Sequence, residues 1–394
     1  MKKVLFVTSL YHPHVGGIET MVTELAQFYK TKGIKSIVLT KKWPEAIAAK
    51  DIFQNNQIYR VLSARTENDF VEVAKWISIN QNELKADLIH IIGARRPLPL
   101  FGVLLGYFWN VPVITTIAGS EIPVPGDPNT NDVWNEGKEL IRPVLEHTDI
   151  VTFVSKDLEK NFHSLKINLK NAKTLYAGID LELIRKAVPK SFGGKYIFSL
   201  RRLIPSKGID VLIKGFREIA DQYSDIMLVI AGEGPEEENL KSLVRKLDLE
   251  GRVSFIGIVS LPEAISLLKS ALCTVVPSLS EGGALVNVEA QAAACPVVAS
   301  NIGGIPEYVR NGKSGLLFEA GNPQDLAQKL THVLSDENLR KRLIAGGLEY
   351  SKKFGWDALG PKYLKLYEEA IQTMPKKKFN EWSPLSRLVW DNLK

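Results

Sequence analysis

Short apolar runs alternate with longer amphipathic stretches along most of the chain. The apolar runs have the length of strands and are rich in valine and isoleucine, while the stretches between them have the length and spacing of helices. Strands that alternate with helices build parallel sheets, because each helix returns the chain to the starting end of the sheet. Eleven strands are predicted in this way: Val4–Thr8, Ser36–Leu39, Leu88–Ile92, Val113–Thr116, Ile150–Val154, Tyr196–Leu200, Met227–Ala231, Val253–Ile256, Cys273–Val276, Val297–Ala299 and Gly315–Phe318.

The alternation weakens between Val188 and Gly194 and resumes with the apolar run at Tyr196. We therefore predict an α/β protein made of two Rossmann-like domains, residues 1–190 and 191–373, followed by a basic and aromatic tail over residues 374–394. Ligands of open α/β sheets bind at the carboxyl ends of the strands. The predicted place for a site is a cleft onto which the carboxyl ends of both sheets open.

Charge and cysteine content narrow the partners and the compartment. The 394 residues carry a formal net charge of +6, which favours anionic ligands or an anionic membrane surface. The charge is diffuse and forms no arginine-rich stripe, so nucleic acid is not a predicted partner. Cys273 and Cys295 lie in apolar surroundings without a second cysteine pair or a nearby histidine. They are predicted to be buried free thiols in a reducing compartment.

Three segments bear on the membrane. The apolar run at Val4–Val7 ends without a small-residue cleavage site, and Leu98–Trp109 is shorter than the ~20 residues that a spanning helix needs. We therefore expect a cytoplasmic protein. The tail combines Lys376–Lys378 with a tryptophan-bearing amphipathic stretch, which suits the inner face of an anionic membrane. The alternative, which we favour, is a tail that packs back on the first domain.

Glu281 and Glu289 interrupt an otherwise apolar or small segment after the predicted strand Cys273–Val276. The first lies in a Ser/Gly turn and the second in the helix that follows, about 12 Å further on. A strand-to-helix turn points backbone N–H groups at a bound anion. Two carboxylates beside such a turn suit the hydroxyl groups on either side of a phosphate, as in a nucleotide-sugar. The alternative is a pair of solvent-exposed glutamates.

Two further turns have the chemistry of an anion site. Gly16 and Gly17 follow the first strand, where adjacent glycines allow close approach of a phosphate or sugar, although a tight turn alone would use them too. The third glycine of the dinucleotide fingerprint is missing, which disfavours a dehydrogenase. Arg202 and Lys207 follow the strand Tyr196–Leu200. A guanidinium fork and a mobile ammonium suit a diphosphate, and the alternative is a solvated basic turn.

These motifs together resemble a known family. The segment from Pro277 to Glu307 is similar to the E-x7-E signature of the retaining glycosyltransferases of family four, which have the GT-B fold. The segment from Arg202 to Gly208 is similar to the family's R-L-x-x-x-K-G motif, with Leu200 and Arg201 in place of the usual small residue and glycine before it. The resemblance extends to about residue 370 and implies a first domain for the acceptor and a second for the donor.

The resemblance also implies roles for individual residues. Arg202 and Lys207 would grip the donor pyrophosphate, Glu281 would hold the sugar hydroxyls, and Glu289 the ribose. We predict Arg202, Lys207 and Glu281 to be the catalytic set. The other donor-binding residues that it implies are Gly16, Gly17, Gly232, Ile258, Gly283, Ala284 and Leu285. The backbone around Ile258 would contact the base. Backbone contacts do not depend on the side chain, so the sequence does not indicate which base is bound.

Ala118 is the main departure from the family pattern. Many members have a histidine near the donor sugar at this point of a T-x-H-G-x-[DE] segment, here Thr116–Glu121. Either that histidine is dispensable or another group replaces it. His90, expected at the end of its strand, is the candidate, and a hydrogen-bonded structural histidine is the alternative. Arg95, with its neighbour Arg96, and Gly119 complete the predicted acceptor site, and a solvated loop is the alternative for the arginines.

The sequence contains no D-x-D dyad and no H-x-x-x-H motif, so no metal site and no separate cofactor are predicted. The expected activity is retaining, metal-independent transfer of a hexose from a nucleotide-diphospho-sugar to a glycan or lipid-linked acceptor, in cell-envelope or polysaccharide synthesis. Two alternatives stay open. One is a nucleotide-sugar epimerase of the same fold, and the other is a non-catalytic nucleotide-sugar-binding protein.

Overall fold

The computed structural model describes residues 1–14, 16–95, 97–119, 121–123, 128–374 and 376–394. The chain forms two compact units. The first contains Met1–Gly178 together with Trp356–Lys394, and the second contains Ile179–Gly355. Each unit is built around one sheet with helices beside it, as the alternating pattern predicts.

The first unit contains an eight-stranded sheet among the described residues. Its strands are β1 (Lys3–Val7), β2 (Lys35–Lys41), β3 (Lys50–Phe53), β4 (Asn56–Val61), β5 (Leu88–Ile92), β6 (Val113–Ile117), β7 (Ile150–Phe153) and β8 (Ala172–Thr174). The order is β3-β4-β2-β1-β5-β6-β7-β8. All neighbours are parallel except β3 and β4, which form an antiparallel pair at one edge. The central strands are fully buried, which explains their nearly continuous apolar sequence.

The second unit contains a six-stranded, fully parallel sheet. Its strands are β9 (Lys195–Leu200), β10 (Ile226–Ala231), β11 (Val253–Phe255), β12 (Cys273–Val276), β13 (Val297–Ser300) and β14 (Leu316–Phe318). The order is β11-β10-β9-β12-β13-β14. β9 and β12 are therefore neighbours in space although three helices and two strands separate them in sequence. Their loops leave the sheet side by side.

Helices connect these strands. The helices of the first unit before the crossing to the second are α1 (Gly17–Thr31), α2 (Glu67–Ile79), α3 (Gln81–Leu84), α4 (Leu98–Trp109), α5 (Pro128–His147) and α6 (Lys156–His163). The second unit contributes α7 (Leu181–Lys186), α8 (Ile209–Ala220), α9 (Glu237–Lys246), α10 (Leu261–Leu268), α11 (Leu285–Ala292), α12 (Ile305–Tyr308), α13 (Pro323–Ser335) and α14 (Glu337–Ser351). The chain then returns to the first unit with α15 (Trp356–Thr373) and α16 (Pro384–Leu393). Within the described ranges, no helix combines the length and the apolar character needed to cross a bilayer.

All eleven predicted strands are present, and three strands were not predicted. β3 and β8 are short and carry polar residues, so neither shows the apolar run that marks a buried strand. β4 carries Arg60, a residue type that usually marks an exposed position. Its side chain is nevertheless buried, because its guanidinium donates to the backbone carbonyls of His12 (2.8 Å) and Ala48 (3.2 Å).

The division of the chain differs from the predicted one. The first boundary lies between Gly178 and Ile179 rather than after residue 190, and α15 belongs to the first unit instead of the second. α15 is held there by buried polar contacts. The Tyr363 hydroxyl donates to the carbonyl of Tyr176 (3.1 Å), and the Tyr367 hydroxyl contacts Nδ1 of His90. These contacts join residues that are far apart in sequence, which a local pattern does not reveal.

The tail packs on the first unit, as the favoured alternative expected. α16 lies against α2 and α4. The Lys377 ammonium forms an ion pair with Asp149 (2.6 Å), and both side chains are buried. The ring of Trp382 stacks on His147, with centroids 3.9 Å apart. Lys376 and Lys378, on either side of Lys377, are exposed.

We expect Lys377→Met to destabilise the first unit. Asp149 would keep its buried charge but lose its cation, and removing one partner of a buried ion pair costs about 3–5 kcal/mol. Urea denaturation followed by tryptophan fluorescence measures this loss, since Trp382 of the tail stacks on His147 of the first unit. Lys376→Met and Lys378→Met are matched controls and should change the free energy of unfolding by less than about 0.5 kcal/mol. Equal stability of all three variants would contradict the buried pair.

Candidate functional site

Two neighbouring loops at the carboxyl end of the second sheet form the site. One follows β9 and contains a single 3-10 turn, Pro205–Lys207, and the other follows β12 and leads into α11. The Leu279 amide donates to the carbonyl of Ser206 (2.9 Å) and joins the two loops. Gly208 has φ +63°, and a Cβ there would lie 2.0 Å from the Pro277 carbonyl oxygen. Only glycine therefore allows the loops to approach this closely.

Three donors converge on one oxygen of Glu281. Lys207 Nζ lies 2.9 Å and Ser278 Oγ 3.1 Å from its Oε2, and Nη2 of Arg201 contacts the same atom. The same Nη2 also donates to Ser278 Oγ (2.7 Å). The charged side chains are largely buried, with exposed fractions of 9% for Arg201, 16% for Lys207 and 12% for Glu281. The result is a compact ionic cluster with one carboxylate and two cations.

Burial and charge act in opposite directions on this cluster. Burial by itself would raise the pKa of Glu281, but the charges and hydrogen bonds of Lys207 and Arg201 outweigh it and lower the pKa to about 2. Burial lowers the pKa of Lys207, which Glu281 partly offsets. Glu281 is therefore ionised at neutral pH and accepts hydrogen bonds only.

Glu289 lies in a different environment. It is on the first turns of α11 and only 7% exposed. Burial raises its pKa to about 7, and the charge of Arg201 acts weakly against this rise. Both glutamates of the E-x7-E segment are thus buried rather than solvent-exposed, and they differ in ionisation although they are the same residue type.

Arg201 and Ser278 are residues of this site that the sequence did not predict. Arg202 was predicted to meet the anion, and its side chain is exposed, whereas Arg201 contacts Glu281 and Ser278. Successive side chains of an extended segment point to opposite sides, so only one of two adjacent arginines can turn toward the loop after β12. Strand alternation could have indicated this difference, but the residue pattern alone did not show which arginine faces inward.

Most of the other predicted donor residues surround the cluster through their backbone. Gly232 has φ +127°, and a Cβ there would lie 1.9 Å from the carbonyl oxygen of Arg201. A Cβ on Gly283 would lie 2.8 Å from the ring of Tyr308. Ala284 and Leu285 form the start of α11, where backbone N–H groups are not used by the helix itself. Ile258, after β11, is exposed.

The two predicted donor-binding glycines of the first unit lie at the start of α1. Gly16 precedes α1, and a Cβ there would lie 2.6 Å from Oε2 of Glu19. Glu19 is buried, and its Oε1 lies 2.9 Å from Nδ1 of His14. Gly17 is the first residue of α1 and would have open space around a Cβ. Only at Gly16 would a Cβ meet a neighbour, and that neighbour is the end of a flexible side chain, so the backbone requires neither glycine.

His90 is a structural histidine in this structure. It lies in the middle of β5, not at its end as expected, and is fully buried. Its Nε2 is 2.7 Å from Thr116 Oγ1 and its Nδ1 contacts the Tyr367 hydroxyl. Burial lowers the pKa of His90 to about 3, so the ring is neutral. A neutral ring with both nitrogens engaged and no exposed surface is not available to an acceptor.

The remaining acceptor candidates lie at the carboxyl end of the first sheet. The amides of Ala118 (3.2 Å) and Gly119 (2.7 Å) both donate to the carboxylate of Glu121, which is buried. Arg95 is exposed, and its backbone carbonyl accepts from Ser9 Oγ (3.0 Å). Arg96 lies outside the described residues. Within the described ranges, no group of three or more His, Cys, Asp or Glu side chains could hold a metal ion.

Comparison with known proteins identifies the class. Residues 180–349 match the profile of the glycosyl transferases group 1, and residues 15–183 match that of Glycosyltransferase Family 4. An uncharacterised glycosyltransferase of Methanocaldococcus jannaschii is 30% identical over 370 residues, covering 93% of this chain and 98% of that protein. The chain therefore belongs to the group 1 glycosyltransferases of family four.

Two other relatives have more specific names. N-acetyl-alpha-D-glucosaminyl L-malate synthase of Bacillus anthracis is 26% identical, covering 92% of this chain and 96% of that protein. The GDP-mannose-dependent alpha-(1-6)-phosphatidylinositol monomannoside mannosyltransferase of Mycobacterium tuberculosis is 27% identical, covering 92% and 97%. The structure of Anabaena HepE in complex with UDP-glucose has a TM-score of 0.73 at 18% identity, covering 94% of this chain and all of that chain. The predicted GT-B fold is thus confirmed.

The raised pKa of Glu289 predicts a pH-dependent stability. The usual pKa of a glutamate is 4.5, and that of Glu289 in the folded protein is about 7. Between these two pH values the folded protein keeps a proton on Glu289 that the unfolded chain releases. Stability should therefore fall as the pH rises through this window. Urea denaturation at pH 5 and pH 8 should show a smaller fall for Glu289→Gln than for the wild type, while Glu250→Gln, at an exposed position, should behave like the wild type. An unchanged pH dependence in Glu289→Gln would refute the burial argument.

Proposed function

We propose that this protein is a retaining, metal-independent hexosyltransferase that uses a nucleotide-diphospho-sugar donor. The observation that supports this most directly is the arrangement at the second sheet. A largely buried, ionised Glu281 lies in the loop after β12, which leads into α11, and faces the neighbouring loop that carries Arg202 and Lys207. The carboxylate can accept hydrogen bonds from the hydroxyls of a sugar, while the cations and the backbone N–H groups at the start of the helix suit the diphosphate joined to that sugar.

The donor would lie along the loop and helix after β12. Oε1 of Glu281 would accept hydrogen bonds from the sugar hydroxyls, and Glu289 would accept them from the ribose. Between them, the backbone N–H groups at Gly283, Ala284 and Leu285 would face the diphosphate, because the first turn of a helix leaves its N–H groups unpaired. The base would lie near Ile258 and contact its backbone. A backbone contact does not indicate which base is bound.

Transfer would proceed with charge moving onto the diphosphate. The bond between the anomeric carbon and the phosphate oxygen breaks, the acceptor oxygen bonds to the same face of that carbon, and the acceptor proton passes to the departing phosphate. Arg202 and Lys207 would neutralise the growing negative charge, which is the part a divalent cation plays in metal-dependent enzymes. No carboxylate nucleophile is required for this route.

The acceptor is proposed to be a glycan or a lipid-linked sugar, bound by the first unit in cell-envelope or polysaccharide synthesis. One relative is named for a phosphatidylinositol mannoside acceptor and another for L-malate, so acceptors vary within the family. The exposed Lys376 and Lys378 and the net charge of +6 support transient contact with an anionic membrane. Arg95 and the loop containing Gly119 are the proposed acceptor contacts.

The decisive experiment is incubation with UDP-, GDP- and ADP-sugars, with and without candidate glycan and lipid acceptors, in excess chelator. Acceptor-dependent release of the nucleoside diphosphate, with the anomeric configuration kept, is the expected result. Conversion of the donor without an acceptor would show an epimerase instead. Stabilisation by a nucleotide-sugar without any turnover would show a non-catalytic binding protein. The replacement of the family's usual histidine by Ala118 is the feature that favours this alternative. Loss of transfer in chelator, reversed by added metal, would contradict metal independence.

Arg202→Ala and Lys207→Ala should each lower kcat by on the order of 10²–10³, with the donor KM changing less. Their contacts with the diphosphate strengthen as the bond breaks, and removing one such donor has this effect in other enzymes. Lys207→Arg should rescue only in part, since a planar fork does not fit the place of a point charge. Lys214→Ala, an exposed lysine on α8, is the control. Near-normal turnover in either alanine variant would show that other residues bind the diphosphate.

A further inference from the structure

Arg201 occupies the position where the family motif usually has glycine, and its side chain is part of the ionic cluster rather than solvated. Its exposed fraction of 9% is lower than that of Lys207 or Glu281. The backbone around it is fixed, because its amide donates to the carbonyl of Ala231 (2.9 Å) and Gly232 packs against its carbonyl oxygen. A buried guanidinium on a fixed backbone has few conformations, so it can hold a partner in one orientation.

The hydrogen bonds to Glu281 are one-sided. Lys207, Arg201 and Ser278 all donate to Oε2, and among the described residues none is seen to donate to Oε1. A carboxylate with one oxygen held by three donors has a fixed orientation, and its other oxygen remains an acceptor for a ligand. This is the geometry needed to bind a hydroxyl of a sugar in a defined position.

Lys207 is needed in two places during the proposed reaction. In the ligand-free structure its ammonium lies 2.9 Å from Glu281 Oε2, while the proposed function requires it on the departing diphosphate. If Lys207 were the only cation on Glu281, its departure would leave a buried carboxylate without a partner, which is costly. Arg201 and Ser278 remain on Oε2 when Lys207 leaves, and they prevent this.

On the basis of the proposed function, we propose that Arg201 is a positioning residue that, together with Ser278, holds Oε2 of Glu281. Glu281 then presents Oε1 to the donor sugar, and Lys207 is free to move to the diphosphate. Arg201 itself does not contact the diphosphate. In this role it supplies the hold on Glu281 that the usual glycine cannot supply.

The charges around Glu281 agree with this assignment. Lys207 and Arg201 face it from the loop after β9, and Glu289 lies on α11. The charge of Arg202 contributes to the lowered pKa of Lys207, after burial and Arg201. Removing Arg201 should therefore raise the pKa of Glu281 toward its usual value, since a nearby opposite charge typically lowers a carboxyl pKa by about 1–3 units.

The test compares Arg201→Gly, Arg201→Lys and Ser278→Ala with the wild type. Arg201→Gly restores the residue common in the family, so it should fold. Its kcat/KM for the nucleotide-sugar that the wild type uses should fall by on the order of 10²-fold, while its affinity for the free nucleoside diphosphate should stay unchanged. The acid limb of its activity should move up by about one pH unit or more. Arg201→Lys should recover part of the activity, and Ser278→Ala should show the same split more weakly.

Lys195→Ala is the matched control for loss of one positive charge. Lys195 is exposed at the opposite end of the same strand, about 20 Å from Arg201 for six residues of β-strand. It should change neither the activity nor its pH dependence. A tenfold or greater loss of free nucleoside diphosphate affinity in Arg201→Gly would show that Arg201 binds the diphosphate directly, and would overturn the positioning role.

A second measurement tests the inference without any donor. The pKa of Glu281 is about 2 in the folded protein, against a usual value of 4.5. Its ionised form therefore stabilises the wild type at pH values above 4.5, and this stability is lost as the pH falls toward 2. The loss between pH 4.5 and pH 2.5 should be smaller in Arg201→Gly than in the wild type. An equal loss of stability in the two proteins would show that Arg201 does not hold Glu281, even if the enzyme is active. A smaller loss in a protein that turns over no nucleotide-sugar would support the hold and refute the proposed function.

Discussion

A buried carboxylate needs counter-charges, and the site of the second unit is organised around that need. Glu281 lies at the carboxyl end of β12, where its charge would be costly without partners. Its cations come from the loop after β9, a strand far away in sequence but adjacent in the sheet. Gly208 and Gly232 let the backbone segments approach closely enough for these contacts. The ionic cluster therefore depends both on the order of the strands and on the glycines that let their loops approach.

The two glutamates show how position decides chemistry within eight residues. Glu281 has two cations beside it and a pKa of about 2, while Glu289 has burial as its main influence and a pKa of about 7. One carboxylate is thus charged under all ordinary conditions, and the other is near its titration point at neutral pH. In the proposed binding mode, with the sugar at Glu281 and the nucleoside at Glu289, binding at the two ends would respond differently to pH.

The first unit is stabilised in another way. Its α15 is held by the Tyr367 hydroxyl, which contacts His90 of β5, and by the Tyr363 hydroxyl, which donates to the carbonyl of Tyr176. Its tail is held by the pair between Lys377 and Asp149. These groups are buried and pair with one another. The polar loops at the carboxyl end of its sheet carry Glu121, whose carboxylate is occupied by its own loop.

The sequence by itself determined the parallel α/β architecture and eleven of the strands, and it singled out Glu281, Glu289 and Lys207 as candidates for a site. Buried strands and strand-end turns leave a local pattern of apolar runs, glycines and charges, which is why these features can be read directly. The tertiary structure decided that β3, β4 and β8 complete the first sheet, that α15 returns to the first unit, that His90 is inaccessible, and that Arg201 rather than Arg202 holds Glu281. The strand pairing, the place of α15, the burial of His90 and the contact between Arg201 and Glu281 all join residues that are distant in sequence and become neighbours only in the folded chain.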